Sequence, residues 1–110
     1  MNPRDKALVW LHGELKTPPL SRPARIETGF LVRRLQRGDS LGIPHSRPMS
    51  SIGARRHELR VTDTNVIWRV IYRIDEDAIV LLEIFSKKTQ KTPQYVIKPC
   101  QRRIKDYDNG

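Results

Sequence analysis

Three runs of β-branched and aromatic residues stand close together in the second half of the chain. They are His-Glu-Leu-Arg-Val (57–61), Val-Ile-Trp-Arg-Val-Ile-Tyr-Arg (66–73) and Ala-Ile-Val-Leu-Leu-Glu-Ile-Phe (78–85). Thr62-Asp63-Thr64-Asn65 and Asp75-Glu76-Asp77 separate them, and both stretches are turn chemistry. Gaps this short join antiparallel neighbours, because a parallel partner needs a crossover of about a dozen residues or more. The chain must therefore build an antiparallel meander and pack the rest of its 110 residues around it.

The first half supplies what packs. Lys6–Leu11 reads as a strand, closed off by Gly13 and the Pro18–Pro19 pair. Ser21 is a suitable N-cap for a helix running to about Arg37, with Gly38 as its stop and Pro23 in the tolerant first turn. Ile26, Phe30, Leu31 and Leu35 form its expected apolar stripe, and Arg22, Arg25, Arg33, Arg34 and Arg37 cover much of the remainder. Residues 39–54 hold Gly42, Pro44, Pro48 and Gly53 and read as an irregular loop. A last helix is expected from Thr92 as N-cap, with Pro93 at its first position and Val96, Cys100, Ile104 and Tyr107 on one face. The order β-α-loop-β-β-β-α predicts one α+β domain over 1–110, helices flanking a small, mainly antiparallel sheet. Trp10, Trp68, Tyr72 and Phe85 fall in strands and are expected in the core, whereas Tyr95 and Tyr107 are candidates for exposure.

Charge narrows the function. The net charge is +9, and the first 56 residues hold 11 Lys and Arg against 4 Asp and Glu. Such an excess fits either a solvated basic surface or a polyanionic partner, nucleic acid or acidic protein. No apolar run approaches a membrane span, and the charged N-terminus does not read as a secretory leader, so an intracellular, cytoplasmic protein is expected. Cys100 stands alone, and His12, His45 and His57 are scattered, so no disulfide, metal site or cofactor is expected.

Strand alternation places Glu58 and Arg60 on one face and His57, Leu59 and Val61 on the other. Arg69 and Arg73 share a face of the next strand. A hairpin centred on Asp63–Thr64 would set Glu58 opposite Arg69 and Arg60 opposite Ile67, gathering both arginines and the glutamate together. Such a group is either a cross-strand ion pair that steadies the sheet or part of an anion site. Lys87, Lys88 and Lys91 follow the third strand, just before a helix N-terminus that itself favours anions. A cationic pocket of this kind suits a phosphate. RNA cleavage by 2′-OH attack needs a base, an acid and cations on the phosphoryl oxygens. Arginine supplies the charge, and His57, Glu58, Lys88 or Tyr95 could carry protons.

His-Glu-Leu-Arg-Val, Trp-Arg-Val-Ile-Tyr-Arg-Ile-Asp and Phe-Ser-Lys-Lys-Thr-Gln-Lys-Thr-Pro, in this order, resemble the RelE/ParE toxin superfamily over residues 6–107, closest to its HigB-type, phage-derived branch. The resemblance implies a RelE-like, microbial-ribonuclease-type fold. It also implies a type II toxin that cuts messenger RNA in the ribosomal A site without metal, contacts ribosomal RNA, and is silenced by an antitoxin, in HigB systems one with a helix-turn-helix domain. By position it makes Arg60, Arg69 and Lys88 catalytic. His57 and Glu58 are further candidates, Glu58 standing where RelE has a lysine. Lys87, Lys91, Arg73 and Tyr95 would bind substrate. ParE-type members instead poison DNA gyrase, and a phage-derived remnant could bind antitoxin without activity; the shared fold leaves these alternatives open.

Overall fold

A computed structural model describes residues 5–87 and 92–110, Lys87 through its backbone. Its elements are β1 (Ala7–Trp10), α1 (Arg22–Gln36), β2 (Ser46–Pro48), β3 (Arg56–Thr62), β4 (Ile67–Ile74), β5 (Ala78–Lys87) and α2 (Gln94–Asn109). The five strands form one sheet in the order β1-β5-β4-β3-β2, antiparallel except for the parallel β1–β5 pair. The expected α+β architecture is the observed one.

One strand was not anticipated. Within the stretch expected as loop, Ser46, Arg47 and Pro48 pair with Leu59, Glu58 and His57. Three residues are too few to show an alternating pattern, and Pro48 is admissible because this is an edge strand.

The β3–β4 hairpin pairs differently from expectation. Arg60 faces Arg69 and Glu58 faces Ile71. The turn spans Asp63 to Val66, where the Asp63 N–H donates to the Val66 carbonyl at 2.9 Å. The Asp63 carboxylate accepts from the Ser21 N–H, the Thr64 N–H and the Trp68 indole, which hold its pKa far below the usual carboxylate range. Moving the turn centre by one residue slides the register by two. Because side chains alternate with period two, Glu58, Arg60 and Arg69 still share a face.

The sheet has a core on each side. Leu59, Val61, Val70, Tyr72, Ile79 and Leu81 pack against α1, chiefly on Ala24, Leu31, Val32 and Leu35. Ile71, Ala78, Val80 and Leu82 pack against Val96, Ile97, Cys100 and Ile104 of α2. In β5, Ile71 faces Glu83 but Tyr72 faces Leu81, so Leu82 is the extra residue of a β-bulge and strict alternation breaks there.

Helix α1 is rotated from its expected phase. Leu31 and Leu35 are buried, but Ile26 and Phe30 are exposed, and the inward arc includes Thr28 and Gln36. Both polar residues are satisfied, Thr28 donating to the Ala24 carbonyl and Gln36 to that of Lys6. The Ser21 cap, which accepts from the Ala24 N–H while its own N–H donates to Asp63, anchors this rotation. Trp10 lies at the surface, because β1 is an edge strand; Tyr72 is buried, and Trp68 and Phe85 are partly so. In α2, Pro93 occupies the cap position without a side-chain bond, and Thr92 serves another purpose.

Candidate functional site

On the α2 side of the sheet, four strand residues converge. Arg47 on β2 lies opposite Glu58 on β3; Arg60, two residues further along β3, lies opposite Arg69 on β4. Arg69 Nη1 donates to Glu58 Oε1 at 2.6 Å, and neither side chain reaches solvent appreciably. Arg47 Nε stands 3.5 Å and Arg60 Nε 3.8 Å from the same oxygen. Thr92, buried just ahead of α2, donates its hydroxyl to Glu58 Oε2 at 3.1 Å.

Three guanidinium groups thus gather around one carboxylate. Burial and the charges of Arg69 and Arg47 lower the Arg60 pKa, with Glu58 opposing them. The arrangement is graded: Glu58 and Arg69 form a sealed base, while the side chains of Arg47 and Arg60 are 34% and 23% exposed. A surplus of fixed cations at a partly open surface favours a multivalent oxyanion, and arginine's planar fork matches phosphate geometry.

Of the residues expected to act, the structure brings Glu58, Arg60 and Arg69 together. It keeps His57 on the opposite face, stacked on Tyr72 with ring centroids 5.4 Å apart, its pKa lowered by burial. Tyr72 shares a hydrogen bond with Ser46, and burial raises its own pKa. Arg73 lies four residues beyond Arg69, ~13 Å along the strand. There its guanidinium is held by Asp108 and Asp75 and lies 6.0 Å from the Tyr107 ring, a clamp on the end of α2. The hydrogen bond to Asp108 is the main cause of its raised pKa. Tyr95 projects from the first turn of α2 and is strongly exposed. Lys88, Lys91 and the side chain of Lys87 lie outside the described residues.

Sequence reasoning missed Arg47 and Thr92. Arg47 sits in the stretch expected as loop, in a strand of only three residues, too short to show alternation. Thr92 was expected to cap a helix. Two concavities, of about 540 and 460 Å³, are lined on the α1 side and at the segment after β1, and none of these arginines lines them. Among the described residues no three His, Cys, Asp or Glu side chains are grouped to hold a metal.

Residues 18–105 match the family described as Phage derived protein Gp49-like (DUF891). The chain belongs to this family. The match spans α1 through most of α2 and so contains all of Arg47, Glu58, Arg60, Arg69 and Thr92. Gp49-like proteins are part of the RelE/ParE-like toxin superfamily, and membership is consistent with a toxin of a toxin–antitoxin system that has an antitoxin partner. No curated protein matches the chain. Among the described residues, no helix is long and apolar enough to cross a membrane.

Proposed function

We propose that this Gp49-like chain is a single-domain toxin of the HigB type, a cytoplasmic, ribosome-dependent endoribonuclease that cleaves messenger RNA in the ribosomal A site. The observation that supports it is the gathering of Arg47, Arg60 and Arg69 on Glu58. In the reaction the ribose 2′-oxygen bonds to the adjacent phosphorus and the bond to the 5′-oxygen breaks. The products are a 2′,3′-cyclic phosphate and a 5′-hydroxyl. Arg60 and Arg47 bind the phosphoryl oxygens as negative charge builds on them, with no metal required, and Arg69 holds the base of the site.

The proton transfers we assign to Lys88 and Tyr95. Lys88 is four residues before Thr92, at most ~14 Å of chain from the cluster, and Tyr95 is three residues after it. A lysine amine in its neutral form takes the 2′-OH proton; the phenol gives its proton to the departing 5′-oxygen. Glu58 is an anchor for the arginines in this scheme, and His57 takes no part.

The antitoxin partner has a surface to meet. Ile26 and Phe30 stand exposed on α1, a helix that begins at exposed Arg22 and has exposed Arg37 as its C-cap, which suits an acidic amphipathic segment. Induced expression followed by mapping of RNA 5′ ends tests the reading. New ends inside translated messages are expected. Intact messages with DNA breaks and an SOS response would point instead to gyrase.

A further inference from the structure

The two oxygens of Glu58 have different partners. Oε1 accepts from Arg69 and is the oxygen nearest Arg47 and Arg60, whereas Oε2 accepts from the Thr92 hydroxyl. The last torsion of a glutamate is broad and roughly two-fold, so a bond to one oxygen alone leaves the carboxylate plane free to swing. Bonds to both oxygens hold it. One comes from the sheet and the other from the residue leading into α2, and Thr92, Glu58 and Arg69 are all buried. A guanidinium fork is in turn oriented only as well as the acceptor it meets.

We infer that Thr92 is a positioning residue: its hydroxyl fixes the plane of Glu58 and, through it, the orientation of Arg69 and the placing of Arg47 and Arg60 around an oxyanion. This deepens the phosphate-binding reading of the cluster and rests on it. Thr92 itself touches no reacting atom. The hydroxyl matters and the bulk does not, which separates this role from ordinary packing between α2 and the sheet. Packing alone would make valine an adequate replacement, since it has the same shape without the donor.

The test uses the full chain as wild type, Thr92→Val, Thr92→Ala and Thr92→Ser. Nitrogen-detected NMR of the guanidinium groups, assigned with Arg69→Lys, reads the arginine directly. Separate Arg69 Nη signals are expected in wild type and Thr92→Ser. In Thr92→Val they should broaden and draw together as the Glu58 acceptor loosens, with the circular dichroism of the fold retained. If Thr92→Val does not fold, Thr92→Ala carries the same expectation. In a programmed-ribosome cleavage assay, Thr92→Val should lose about 10-fold or more in kcat with little change in KM, and Thr92→Ser should restore it. Unaltered Arg69 signals in folded Thr92→Val, or serine failing to restore them, would overturn the inference. If the NMR results are as expected but wild type cuts no RNA, the positioning role stands and the nuclease reading fails.

Discussion

Arg60 and Arg69 stand directly opposite each other on β3 and β4, and both turn a guanidinium to the single carboxylate of Glu58. Like charges facing each other across a strand pair are ordinarily unfavourable. Here a buried anion between them offsets the repulsion, and the addition of Arg47 leaves the group with more positive than negative charge.

Glu58→Ala should be costly to the fold. Removing one partner of a buried pair strands the other charge, typically at about 3–5 kcal/mol. Urea denaturation of Glu58→Ala should show a loss of that order. Replacing Glu58 and Arg69 together by Leu and Met should recover most of it, because the stranded charge is gone. A loss under about 1 kcal/mol in the single variant would mean that Arg69 finds compensation elsewhere.

Stability should fall in mild acid through His57. Burial lowers its pKa below the ordinary value of 6.5, so the unfolded chain binds the proton more readily than the folded one. Its contribution is complete above about pH 6.5 and is lost as pH falls from there towards the folded-state pKa. Denaturation midpoints measured between about pH 7 and 5 should decline. Part of that decline should vanish in His57→Phe, which keeps the stack on Tyr72 but cannot titrate. An identical pH profile in that variant would remove His57 from the account.

The exposed face of α1 should matter for a partner and not for the fold. Ile26→Glu with Phe30→Glu changes side chains already in solvent, so the melting temperature should stay within a few degrees. Affinity for the cognate antitoxin, read by calorimetry, should fall by about 10-fold or more as acidic groups meet its acidic surface. Unchanged affinity would place the antitoxin elsewhere.

These features were unequally legible in the amino-acid order. Period-two alternation put Glu58, Arg60 and Arg69 on one face, and that survived a two-residue error in register, because such a slip preserves faces. The error itself arose in the turn: Thr62, Asp63, Thr64 and Asn65 all suit turns, and only the long-range bonds of Asp63 to Ser21 and Trp68 decide which of them forms the centre. The rotation of α1 was hidden for a related reason. Hydrophobicity favours burying Ile26 and Phe30, yet the cap bonds of Ser21 and the satisfied side chains of Thr28 and Gln36 select another arc. Arg47 was invisible because three residues carry no periodicity. Thr92 was misassigned because a threonine before Pro93 has the chemistry of a helix cap, and its contact with Glu58 spans 34 residues of sequence.

Cleavage of a message on programmed ribosomes, compared between wild type, Arg60→Ala and Arg47→Ala, shows whether these arginines hold the reacting phosphate. Removing one donor to a developing oxyanion typically costs about 10²–10³ in kcat. Both side chains are partly exposed, so the fold should persist. Wild type should cleave to a cyclic phosphate and a 5′-hydroxyl, with losses of that size in Arg60→Ala and smaller but clear losses in Arg47→Ala. Wild-type protein that leaves messages whole, or folded Arg60→Ala that cuts at the wild-type rate, would contradict it.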